Sequence, residues 1–158
     1  MADSVQLIEI SQEQIQRLDI SALAGLAALT PEQLLKLNDH LALELLWPRQ
    51  AEDPRELSEL PECRLWSLRA DAAYPWLALL LQRSSGQLSR HVAMLVPHGF
   101  SQAEGIKFDA DALSLWISHR LFLLDHWGQE RQLPMRPKLV AMAAALGFEL
   151  DQGFWPQG

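Results

Sequence analysis

The chain has one cysteine, Cys63, among 158 residues. A single thiol forms no intrachain disulfide, which fits a reducing compartment. It also falls short of the several thiolates needed for a zinc ribbon or a cysteine-ligated iron–sulfur cluster. Long apolar runs are missing as well. Leu41–Trp47, interrupted by Glu44, and Trp76–Leu81 are short, against about 20 residues for a membrane-spanning helix. The opening "MADSVQLIEI" lacks the basic and apolar regions of a secretion signal. Positive charge is scarce: 13 Lys and Arg face 20 Asp and Glu, a net charge of −7. Such a chain repels phosphate backbones and anionic lipid surfaces, so neither nucleic acid nor membrane is an expected partner. No G-x-G-x-x-G, Walker-type loop, G-x-S-x-G elbow or S-x-x-K pair occurs. Internal repeats and low-complexity segments are also lacking.

What remains is an ordinary globular composition, 49% hydrophobic and 21% charged. The length suits a single domain over residues 1–158. Residues 48–62, "PRQAEDPRELSELPE", form a proline-rich charged connecting segment. Within it, Asp53-Pro54-Arg55-Glu56 is spaced to cap one short helical turn.

The expected elements follow from period and punctuation. "VQLIEI" (5–10) reads as a strand. Ser11 and Gln14 are spaced as a capping box before "QEQIQRL". "ISALAGLAAL" reads as helical or as a packed turn. Thr30, Pro31 and Gln33 open a helix expected to run to Trp47, with Leu34, Leu37, Leu41 and Leu45 on one face. "CRLWSLRA" (63–70) and "QLSRHVAMLV" (87–96) read as strands, with a short helix at 74–83 and an "SSG" turn between them. "GIKFD" (105–109) reads as a further short strand. Residues 110–132 and 136–147 read as helices, the first capped by Asp109 or Asp111 and the second closed by Gly147. "FELDQGFW" is a candidate edge strand. The expected class is α+β: a small, mainly antiparallel sheet packed by several α-helices.

Five histidines raise the question of a metal. His119 and His126 stand about 10.5 Å apart along one helix, too far to share an ion at bonds of about 2.0–2.1 Å. His91 and His98, read as lying on a strand and its exit, would be separated by up to roughly 23 Å. His40 stands alone. No metal site and no cofactor is expected. Cys63 follows an acidic residue, which raises a thiol pKa, so a buried structural thiol is expected rather than a nucleophile.

The aromatics say more. Six tryptophans stand against one tyrosine. Trp116 and Trp127 read as core. Trp47, Trp66 and Trp76 border charged or proline-rich segments near Arg64, Arg69, Asp71 and Arg90. Trp and Arg are enriched at interface hot spots, so a protein-binding face is a fair reading of this region.

The middle of the chain resembles the chlororespiratory reduction 6 family of cyanobacteria and chloroplasts. The likeness is carried by Trp47-Pro48, Asp53-Pro54-Arg55-Glu56-Leu57-Ser58-Glu59 and Pro61. Arg64-Leu65-Trp66, Arg69, Asp71 and Tyr74-Pro75-Trp76-Leu77 continue it. Arg90, Ala93-Met94-Leu95-Val96-Pro97-His98, Phe100 and Glu104-Gly105-Ile106 complete it. Ala78 and Gln82 depart from the family pattern, which has proline and aspartate there. The resemblance implies an assembly factor rather than an enzyme. Its role would be in biogenesis of the photosynthetic NAD(P)H dehydrogenase-like complex, and its client the hydrophilic-arm subunit that carries two four-iron clusters. A cytoplasmic or stroma-equivalent location is implied. The expected protein-binding residues are Arg64, Trp66, Arg69, Asp71, Tyr74, Trp76, Arg90, His98 and Phe100. The competing expectation is a small enzyme or ligand-binding domain with a pocket near Arg64, Asp71, His98 and Glu104.

Overall fold

The structure, a computed structural model, describes residues 5–53, 56–101 and 103–155. Strand β1 (Gln6–Ile10) opens it and ends on Ser11. Ser11 Oγ accepts from the Gln14 N–H at 3.2 Å, and Gln14 Oε1 accepts from the Ser11 N–H at 2.8 Å. This reciprocal pair starts helix α1 (Gln12–Gln16) where the spacing predicts it. A 3-10 turn (Ser21–Leu23) and helix α2 (Ala24–Ala27) follow, burying Leu23 and Leu26. Helix α3 (Pro31–Leu35) begins on a second capping box, Thr30 with Gln33.

The helix expected to reach Trp47 stops at Leu35. Residues Leu41–Leu45 are instead strand β2. The chain reverses at Asp39, which holds φ at +65°. Asp39 Oδ1 accepts the Arg83 backbone N–H at 2.6 Å, with Arg83 Nη1 at 3.7 Å, so the turn is clamped from across the fold. β2 pairs in parallel with β1, from Gln6↔Leu41 to Ile10↔Leu45. Leu37, Leu41 and Leu45 fit a helical period, yet Leu41, Leu43 and Leu45 also fit a period of two. Pairing with β1 decides between them.

The two strands expected at 63–70 and 87–96 are helices. A 3-10 turn (Leu57–Glu59), capped by Glu56 and Glu59, leads into α4 (Pro61–Ala73) with Pro61 in its first turn. The buried positions of α4 are Cys63, Trp66, Ser67, Ala70 and Asp71, a helical spacing. Helix α5 (Leu77–Leu80) is wholly buried. Gly86, at φ +83°, turns the chain into α6 (Gln87–Ala93), whose inner face is Leu88, His91 and Val92.

Strands β3 (His98–Ser101) and β4 (Gly105–Phe108) form an antiparallel hairpin. Asp109 Oδ1 accepts from the Ala112 N–H at 2.9 Å and caps α7 (Ala110–Glu130). Helix α8 (Arg136–Ala145) closes at Gly147, φ +90°, with the Phe148 N–H returning to Ala143 O at 3.0 Å. The segment after it is a 3-10 turn (Gln152–Phe154), not an edge strand.

The class is α+β, as expected. The β structure is divided between a parallel pair and an antiparallel hairpin rather than forming one mainly antiparallel sheet. Buried residues from β1, β2 and α1 through α8 join one hydrophobic cluster. Among the described residues, no helix is long and apolar enough to cross a membrane.

Candidate functional site

A cleft of about 540 Å³ opens beside β2, between that strand, α4 and α6. Leu43, Leu81, Met94 and the Trp66 ring supply apolar wall. Arg49, Arg90, Glu44 and Glu56 supply charge. One face of α6 lines the cleft through Gln87, Arg90, His91 and Met94, the i, i+3, i+4, i+7 positions of a helix.

The polar groups behind this wall are held in a buried network. Asp71, 5% exposed, receives Arg120 Nη2 on Oδ2 at 2.5 Å and meets His91 Nε2 on Oδ1 at 3.1 Å. Arg120 also donates to Pro75 O at 3.0 Å and stacks over Trp116, 5.3 Å from the ring centre. The network ties α4, α6 and α7 together and fixes the plane of the His91 ring. Buried charges are retained only when paired in this way.

His98 stands at the start of the hairpin. Its Nδ1 lies 3.0 Å from Val96 O, and its Nε2 lies 2.9 Å from Ser58 Oγ. A carbonyl only accepts, so Nδ1 carries the proton, and in the neutral ring Nε2 accepts from the Ser58 hydroxyl. Ser58 is 4% exposed. The pair fastens the hairpin to the 3-10 turn before α4, and the His98 ring packs against Phe108 at 6.2 Å.

The residues expected to form a binding face divide into two groups. Arg69 and Arg90 are exposed and Arg64 is half-buried, with its Nε 3.5 Å from Met94 O. These three can meet a partner. Trp66 is fully buried, and its indole N–H donates to Asp19 O at 2.8 Å. Trp76 is 8% exposed and packs on half-buried Tyr74 at 5.3 Å. Asp71 is turned inward to Arg120. Trp66 and Asp71 lie on the inner side of helix α4, and Trp76 is buried at the start of α5, so none of the three is presented at the surface. The side chain of Phe100, as well as Pro54 and Arg55, lies outside the described residues.

The pocket expected near Arg64, Asp71, His98 and Glu104 does not form the cleft, since none of the four lines it. Glu104 is exposed at the hairpin and sits 3.8 Å from Lys107. Arg49, Ser58, Gln87 and His91 are among the lining residues that the sequence reading does not single out for a site. The helical spacing of Gln87, Arg90, His91 and Met94 is the signal that would have found α6's share.

Burial, then the neighbouring Glu62 carboxylate, pushes the Cys63 thiol up from 9.0 to about 11. Among the described residues, no group of three or more His, Cys, Asp or Glu is placed to hold a metal ion.

No solved structure matches the chain. The family model described as chlororespiratory reduction 6 matches residues 10–157. That span includes all the cleft's lining residues except Leu7, together with the buried network and the hairpin. The chain thus belongs to the chlororespiratory reduction 6 family, a family of assembly factors, and its role lies in assembly of the NAD(P)H dehydrogenase-like complex.

Proposed function

We propose that this protein is a maturation factor for the hydrophilic arm of the photosynthetic complex, with the two-cluster iron–sulfur subunit as its client. It acts by binding, not by catalysis, in the cytoplasmic or stroma-equivalent compartment. The observation that carries this reading is the family match over residues 10–157. The cleft rim supports it. Arg49 and Arg90 have no ion-pair partner among the described residues. Arg64 reaches Met94 O, and Met94 lines the cleft. Exposed unpaired arginines next to apolar wall suit protein recognition.

The test is removal of the gene. Cells lacking the chain should lose the assembled hydrophilic arm while the membrane arm still accumulates, as read by native gel and subunit immunoblot. Full accumulation of the complete complex would overturn the proposal.

A further inference from the structure

Strand β2 has two hydrogen-bonding edges; β1 fills one, and among the described residues the other is filled only in part. His40, Ala42, Glu44 and Leu46 turn their backbone groups toward β1. Leu41, Leu43 and Leu45 turn theirs to the other side. There the chain begins a third strand and abandons it. Leu41 and Leu81 form a parallel bridge, and the Gln82 N–H donates to Leu41 O at 2.7 Å. In a continuing ladder the Gln82 carbonyl would next accept the Leu43 N–H. It accepts from the Leu88 N–H instead, at 3.2 Å, as the chain turns away through Gly86. Gln87 Oε1 fills the vacated place and accepts from the Leu43 N–H at 3.2 Å. A side-chain amide stands where a strand's peptide group would.

One ladder step further on, Leu43 C=O and Leu45 N–H have no hydrogen-bond partner among the described residues. Both residues line the cleft, with the Trp66, Leu81 and Met94 wall beside them and Arg49 and Arg90 at the rim. An acceptor and a donor at this spacing match the N–H and C=O of an extended peptide, the pattern used in strand addition. Natural edges of this kind are usually paired or blocked.

We infer that the client enters as an extended segment that adds to β2 along this edge. Its backbone bonds Leu43 C=O and Leu45 N–H. An apolar side chain packs in the cleft against Leu43, Leu45 and Met94, and a carboxylate meets Arg49 or Arg90. The inference rests on the client reading above and specifies how that client is held.

Leu45→Pro tests it. The Leu45 N–H faces away from β1, so proline there removes no internal bond, as at other edge positions. Leu45→Val controls for the side chain. Purified two-cluster subunit is titrated onto the full-length chain and both variants. Leu45→Pro should bind about tenfold more weakly than wild type and than Leu45→Val, which keeps the N–H. Wild-type binding by a folded Leu45→Pro overturns strand addition and leaves the assembly role standing. No binding by wild type overturns both. Should Leu45→Pro fail to fold, amide exchange in the wild type decides. The Leu45 amide should exchange about tenfold or more slowly in the complex, and an unchanged rate in a formed complex overturns the inference. Protection of Leu45 by self-association without client would also overturn it, in favour of a second copy as the occupant.

Discussion

Arg120 reaches across from α7 to Asp71 on α4, Nη2 to Oδ2 at 2.5 Å, and both side chains are under a tenth exposed. The same carboxylate holds His91 on the cleft wall. Asp71→Ala would leave a guanidinium buried without its counter-charge. We predict a loss of about 3–5 kcal/mol, the usual cost of breaking a buried pair on one side. Urea unfolding measures it. A loss below about 1 kcal/mol would mean that water already screens the pair.

Cys63 sets an alkaline limit. Its thiol ionises near 9.0 when unfolded and at about 11 when folded. Between those values the unfolded chain has released a proton that the folded chain keeps. Stability is therefore flat below about pH 9 from this group and falls as pH rises toward 11, by at most about 3 kcal/mol. The difference in unfolding free energy between wild type and Cys63→Ala, taken at about pH 8 and about pH 10.5, should shift against wild type at the higher pH. A constant difference would refute this assignment.

Gly128 on α7 is a packing position. A Cβ there would lie 2.7 Å from Met135 Sδ and 3.2 Å from Leu133 O. Met135 is 2% exposed and can move little. Gly128→Ala should cost about 1–3 kcal/mol despite alanine's better helix propensity. Thermal melting reports the sign, and an increase in Tm would show that the α7–α8 turn yields.

His98→Ala removes the acceptor for Ser58 and the anchor of the hairpin. The expected cost is about 1–3 kcal/mol, with faster amide exchange across β3 and β4 and client binding retained in the folded protein. Loss of function with folding and binding both intact would assign His98 a chemical role instead.

Local signals were legible in the chain. The two capping boxes, Asp109 before α7, and Gly147 after α8 all rest on contacts within a few residues, and the structure carries each of them. The errors arose where inward-facing residues are polar. Ser67 and Asp71 sit on the inner face of α4, while Leu65 and Leu68 face outward at 52% and 42% exposure. Apolar periodicity thus pointed away from the true helix. His91 does the same on α6, where a run of apolar residues after it imitates a strand. At Leu41–Leu45 both periods fit, and only Asp39, Arg83 and β1 choose between them. The candidate site was less legible than the fold for the same reason. Arg90 and Trp66 were named and line the cleft, but Gln87 and His91 join them only once α6 is a helix.

Affinity capture of the tagged chain from its own cells, read by mass spectrometry, identifies the client. Recovery of the two-cluster iron–sulfur subunit without the complete complex is expected, with reduced recovery for Arg64→Ala and Arg90→Ala combined. Background proteins alone, in cells actively making that subunit, would contradict the proposed client.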